Sequence, residues 1–147
     1  MEGFSKLEEI LERDGRLAYT CKGFSMLPLL REDRDVVLIR KKGASRCRKL
    51  DAVLFKRPGV EGRGSFVLHR VLKVMPDGAY WIVGDHCTEG ETVREENVLG
   101  VMTAVVRDGR TVPVTAFRYR LYLNTWCRFY HLRFFLLRIG GFFGRFF

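Results

Sequence analysis

Ser25 stands in the stretch GFSMLPLL (23–30), at a glycine-flanked turn with Met26 and Pro28 close behind it. A serine hydroxyl is a poor nucleophile until a base removes its proton, so the chain's histidines decide whether this turn can do chemistry. His131 lies in an arginine-rich tail, and His86 follows Gly84 and Asp85 in a turn. His69 lies in mid-strand within VLHRV, where alternation puts it on one face with Val67 and Val71. On general grounds a lone histidine on an apolar strand face is more often a satisfied core residue than a base. The plainer alternative for Ser25 is a loop residue before a strand. Asp85, in the turn before His86, reads as a turn carboxylate bonding backbone N–H groups.

Metal and redox chemistry find less support. Cys21, Cys47, Cys87 and Cys127 are widely spread without a C-x-x-C pair, so no zinc site and no cofactor is expected. Free thiols in a reducing, cytoplasmic setting fit this pattern. The start MEGFSKLEEILERDG is charged and lacks the apolar core of a secretory signal.

The elements that would position these groups are short. A capping box at Ser5 and Glu8, with an apolar stripe of Leu7, Ile10 and Leu11, predicts a helix that ends at Asp14-Gly15. From there to about residue 115 the signals are those of strands. DVVLI (35–39), AVLF (52–55), FVLHRVLKV (66–74), AYWIV (79–83) and VLGVMTAVV (98–106) are β-branched or aromatic and bounded by turn residues. Pro76-Asp77-Gly78 and Asp108-Gly109 read as hairpin connections, and RPGVEGRGS (57–65) reads as an exposed loop. With 147 residues, 47% hydrophobic, the chain suits one mainly β, antiparallel domain over 1–115, followed by a helical tail over 116–147.

That tail carries most of the charge. The chain's formal net charge is +9, and after Asp108 seven arginines follow with no acidic residue among them. They are interleaved with Trp126, Phe142, Phe143, Phe146, Phe147 and a run of Leu and Tyr. A spanning helix needs about twenty predominantly apolar residues, and arginine interrupts every such run here. Two readings stay open, a helix lying in an anionic membrane interface with snorkelling arginines and a helix packed on the β domain. The tail is too apolar and too poor in lysine for a surface that mainly contacts phosphates, which argues against nucleic acid.

Ser25-Met26-Leu27-Pro28, followed by a charged stretch and DVVLI, resembles the S-M-x-P box of type I signal peptidases. KLDAVLFKRPG resembles that family's second strand, with Leu50 where a glycine is usual. FVLHRVLKV is similar to the box that supplies the general base, a lysine in the common bacterial branch and the histidine of H-R-V in the endoplasmic-reticulum and archaeal branch. WIVGDH resembles the G-D-N box with His86 in place of asparagine, and NVLGVMTAV resembles the closing strand with Gly100 as its glycine. The resemblance runs from residue 20 to 106 in unbroken order.

The resemblance implies the fold shared by signal peptidases and LexA-type self-cleaving repressors, without the family's N-terminal anchor. It implies a serine peptidase with Ser25 as nucleophile, His69 as general base, and Met26 and Pro28 forming an apolar wall at the substrate site. The third group falls near Glu91 where the histidine branch has an aspartate, with Asp85 as its rival. Gly23 stands where the family often has a hydroxyl, so the oxyanion would rest on backbone N–H groups, above all that of Ser25. The partners expected are a precursor peptide or protein and an anionic membrane surface reached through 116–147, for a protein in the cytoplasm or peripheral to the membrane. A non-catalytic or self-cleaving regulatory module, or a basic membrane-surface protein, is the alternative.

Overall fold

The computed structural model describes residues 2–57 and 65–144, with side chains over 6–57 and 65–140. Most of the expected 57–65 loop, the aromatic side chains of Phe142 and Phe143, and residues 145–147 lie outside the described residues. Helix α1 (Glu2–Asp14) is followed by eight strands: β1 (Arg16–Tyr19), β2 (Asp35–Lys41), β3 (Ala52–Arg57), β4 (Ser65–Val74), β5 (Tyr80–Val83), β6 (Gly90–Val93), β7 (Val98–Arg107) and β8 (Arg110–Pro113). They form one antiparallel sheet in the order β1-β2-β7-β3-β4-β5-β6, with β8 on β7. Strand β7 is shared in halves, since Val98–Val101 pairs with β3 and Ala104–Arg107 with β8. The mainly β, antiparallel expectation is met.

Alternation along the strands fills both faces of the sheet. Val37, Ile39, Leu54, Leu68 and Met102 join Leu11 of α1 in one buried cluster, while Val53, Phe55, Val71, Tyr80 and Ile82 form another. Helix α1 begins before Ser5, so the Ser5/Glu8 pair is not its cap, and Glu8 instead pairs with Lys56 on β3 (3.1 Å). Its end is where the sequence puts it. Gly15 takes a left-handed φ of 71° and its N–H returns to the Leu11 carbonyl (2.9 Å). Strands β1, β6 and β8 are absent from the sequence reading. They are four residues each, shorter than a clear period-two signal.

The tail is helical, as α2 (Phe117–Tyr122), a π-helical turn over Leu123–Cys127, and α3 (Tyr130–Gly144). Its inward side docks on the sheet. Tyr119 enters the first cluster, Tyr130 packs with Leu72 and Val83, and Trp81 meets Tyr130 and Phe134 edge-on at 5.7 and 6.3 Å. The docking centres on a fully buried ion pair. Arg70 of β4 grips Asp85 with two parallel bonds (2.8 and 2.9 Å), and the tail completes their shell. Tyr119 Oη accepts from Arg70 (2.8 Å), Tyr122 Oη donates to Asp85 (2.7 Å), and Trp126 Nε1 donates to the Asp85 carbonyl (2.8 Å). A buried charge left without its partner costs about 3–5 kcal/mol. Asp85→Asn is therefore expected to lower the unfolding free energy by about that amount in urea titrations. A chain truncated after Val114, stripped of Tyr119, Tyr122 and Trp126, is expected to lose its cooperative thermal transition by circular dichroism.

Candidate active site

Ser25 lies in the long connection from β1 to β2, and its position is fixed from both ends. Behind it, Leu30 N–H bonds the Met26 carbonyl (2.9 Å), and Arg107 of β7 reaches the Leu29 carbonyl (2.6 Å). The same Arg107 binds Asp35 at the start of β2 (2.7 Å), whose carboxylate also accepts the Arg31 N–H (2.9 Å) and Arg34 (3.1 Å). Burial pushes the Asp35 pKa up, but Arg107, Arg34 and the Arg31 amide outweigh it and bring it down to about 2.

In front of Ser25 lies the turn after β5. His86 N–H donates to the Ser25 carbonyl (2.9 Å), and the Cys87 thiol stands 4.0 Å from the same oxygen. Gly84 is the wedge between the two halves of the site. A Cβ there would sit 2.6 Å from the Ser25 carbonyl oxygen and 3.1 Å from His69 Nε2, so only glycine fits. Gly84 thus brings the backbone of Ser25 and the imidazole of His69 within a few ångströms of one point.

His69 projects from β4 opposite Val53 and packs edge-on against Phe55 (6.1 Å between centroids). Together with half-buried Ser25 it lines a cleft of about 530 Å³, whose walls include Leu7 of α1, Tyr19 at the end of β1, Cys21 just after it, and Arg57 of β3. No hydrogen bond joins the Ser25 hydroxyl to His69 among the described residues, nor does the Ser25 N–H have a described acceptor. Burial holds the His69 pKa below 6.5, with Glu91 pulling it up and Arg57 pushing it further down. The imidazole is then neutral at pH 7. Cys21, the other nucleophile lining the cleft, is a thiol whose pKa burial pushes up to about 12, so it carries no thiolate at neutral pH.

The remaining expected site residues fall elsewhere. Asp85 is not an orienting acid for His69, because its carboxylate oxygens are taken by Arg70 and Tyr122 on the opposite side of β4. Neither is it a turn carboxylate, since its partners are side chains. Glu91 of β6 is bound by Arg57 through two contacts, Nε to Oε2 at 3.0 Å and a second shorter one, and reaches His69 only through its field. Met26 is 2% exposed and belongs to the core, while Pro28 lines a separate cavity beside Tyr119 and Tyr122. Neither forms a wall of the Ser25–His69 cleft. His86 acts through its backbone and is exposed, as is His131. Arg57, Arg107 and Asp35 are missing from the sequence reading, where single charges at strand ends carry no local pattern. No group of His, Cys, Asp and Glu among the described residues could hold a metal ion.

No family model, no curated protein and no solved structure matches the chain. A neutral imidazole and a hydroxyl share one cleft, and the Ser25 N–H has no acceptor among the described residues.

Two measurements check this description. The His69 imidazole is expected to titrate below pH 6.5 by NMR, and Glu91→Gln is expected to lower it further by removing a field that favours the cation. Because Asp35 is more acidic folded than unfolded, its contribution to stability is complete above about pH 4 and is lost as pH falls towards 2. Asp35→Asn is expected to be less stable than wild type at pH 7 and to converge with it by about pH 2.

Proposed function

We propose that the protein is a serine endopeptidase of the signal-peptidase-like type, with Ser25 as nucleophile and His69 as general base. The observation that carries this reading is the meeting of Ser25 and His69 around Gly84 in one cleft. Support also comes from Leu50. It stands where the family has glycine, and its backbone is left-handed (φ 76°), the conformation a glycine would adopt without strain. Gly100, the counterpart of the closing-strand glycine, leaves no room either, since a Cβ there would meet the Arg40 carbonyl at 2.7 Å. These backbone requirements support the LexA-like fold that the resemblance implies.

In this reading His69 Nε2 takes the Ser25 proton as Oγ attacks the scissile carbonyl. The Ser25 N–H donates to the developing oxyanion. The imidazolium then passes its proton to the leaving amine, and a water activated by the same ring hydrolyses the acyl-enzyme. No carboxylate bonds His69 among the described residues, so the machinery is a dyad, with the Arg57–Glu91 pair setting the field around the ring. The substrate is a precursor peptide or protein in extended form. Strand β4 pairs with β5 only from Arg70 onward, and its preceding stretch, which ends at His69, lies along the cleft where a peptide strand could be laid down.

A serine-reactive phosphonate is expected to label wild-type protein and not Ser25→Ala, while the variant stays within about half a kcal/mol of wild-type stability. Cleavage of a precursor peptide is expected to rise with pH through an apparent pKa below 6.5 and then level off, and His69→Asn is expected to lose it by orders of magnitude. Labelling that persists in Ser25→Ala, or full activity in His69→Asn, refutes the assignment.

A further inference from the structure

Helix α3 is apolar on two sides: Tyr130 and Phe134 pack inward on the sheet, and a second apolar stripe faces outward. The inward side also carries Arg133, 2% exposed, whose three guanidinium nitrogens have no hydrogen-bond partner among the described residues. That charge rests 5.2 Å from the centre of the Phe134 ring. The outward side carries Phe129, Leu132, Phe135 and Leu136, each half exposed or more. Phe129 precedes α3 but belongs to its first turn, because its carbonyl accepts the Arg133 N–H (3.1 Å). The spacing i, i+3, i+6, i+7 puts these four on one stripe. On α2, Phe117 and Leu121 are 78% and 53% exposed. A helix that faces water carries its apolar stripe inward and its charges outward, and apolar patches of this extent mark contact surfaces.

Charge identifies what covers the stripe. Arg118, Arg120, Arg128 and Arg138 are exposed on the same helical tail, and no acidic residue follows Asp108. A second copy presenting this face would oppose arginine to arginine, whereas an anionic lipid surface supplies the missing negative charge. The 15 residues of α3 extend about 22 Å, short of the roughly 30 Å of a hydrocarbon core. No described helix is long and apolar enough to cross a membrane. The geometry fits a helix lying in the interface, with arginine stems reaching up to phosphates from beside an inserted apolar stripe.

We propose that α3, with α2, docks the protein peripherally on an anionic lipid surface, burying Phe129, Leu132, Phe135 and Leu136 below the headgroups and placing Arg128 and Arg138 among them. This inference does not depend on the peptidase reading. The full-length protein is expected to co-sediment at low salt with vesicles of phosphatidylcholine and phosphatidylglycerol, and much less with phosphatidylcholine alone. The variant Phe129→Ser/Leu132→Ser/Phe135→Ser is expected to lose about tenfold or more in partitioning. Arg128→Gln/Arg138→Gln is expected to lose most of the preference for anionic lipid. Phe135→Trp gives a readout on an otherwise intact chain. Its emission, taken as the difference from wild type with Trp81 and Trp126, is expected to shift to the blue when anionic vesicles are added. Absence of vesicle binding by wild type, undiminished binding by the triple serine variant, or an unshifted difference emission from Phe135→Trp at saturating lipid overturns the proposal. A dimer seen by light scattering that the serine variant dissolves, with no lipid binding, also overturns it and assigns the face to a second copy.

Discussion

The buried pair of Arg70 and Asp85 is the constraint around which the other parts are arranged. Two full charges at zero exposure are tolerable only when nearly every donor and acceptor is engaged. The guanidinium takes both oxygens of Asp85, the Leu50 carbonyl (2.8 Å) and Tyr119 Oη. The partners come from β4, from the Leu50 turn before β3, from the turn after β5 and from the C-terminal helices. Four separate regions of chain are therefore locked by one ionic contact. Leu50 holds a left-handed backbone there, a conformation that costs about 1 kcal/mol or more for such a residue. Its carbonyl reaches Arg70 from that strained turn, and its N–H bonds the Val71 carbonyl (2.7 Å).

This lock bears on the cleft through adjacency along the chain. His69 precedes Arg70, and Gly84 precedes Asp85. Because successive residues of a strand face opposite ways, fixing Arg70 on one face orients His69 on the other. Fixing Asp85 presses Gly84 against His69 and sets His86 N–H on the Ser25 carbonyl. The ion pair thus positions both members of the proposed dyad, though it touches neither Ser25 nor the His69 ring. The Asp35–Arg107–Arg34 cluster does the same for the far end of the Ser25 loop. The tail is therefore part of the scaffold of the site on its inward side, while its outward side is free for another role.

The parts of this arrangement that are local in sequence are legible in the residues alone. Long alternating runs mark β2, β3, β4, β5 and β7, and the Gly15 stop of α1 follows from glycine at the end of an apolar stripe. The meeting of Ser25 with His69 is legible only through the order of the boxes that carry the resemblance, since nothing in composition brings residues so distant together. The role of Asp85 is not legible. A carboxylate in a G-D-H turn has the same local signature whether it faces a histidine, a backbone amide or a buried arginine, and the arginine sits on another strand. The places of Met26 and Pro28 escape the sequence for a related reason. Their side chains leave the loop in directions set by its fold over 25–30, and those directions lead to the core and to the Tyr119 side.

The choice of histidine at position 69 fits the openness of the cleft. A lysine base works at neutral pH only if burial strips its ammonium of water and no acid is near to stabilise it. Here the ring is half-buried and the Arg57–Glu91 pair stands close, with Glu91 favouring a cation at position 69. An imidazole starts at an ordinary pKa of 6.5, and burial here moves it down, the direction the proposed general base requires. The cleft thus holds a neutral imidazole without a deep apolar pocket, and under the proposed function it stays open between β4 and the residues after β1 for an extended peptide.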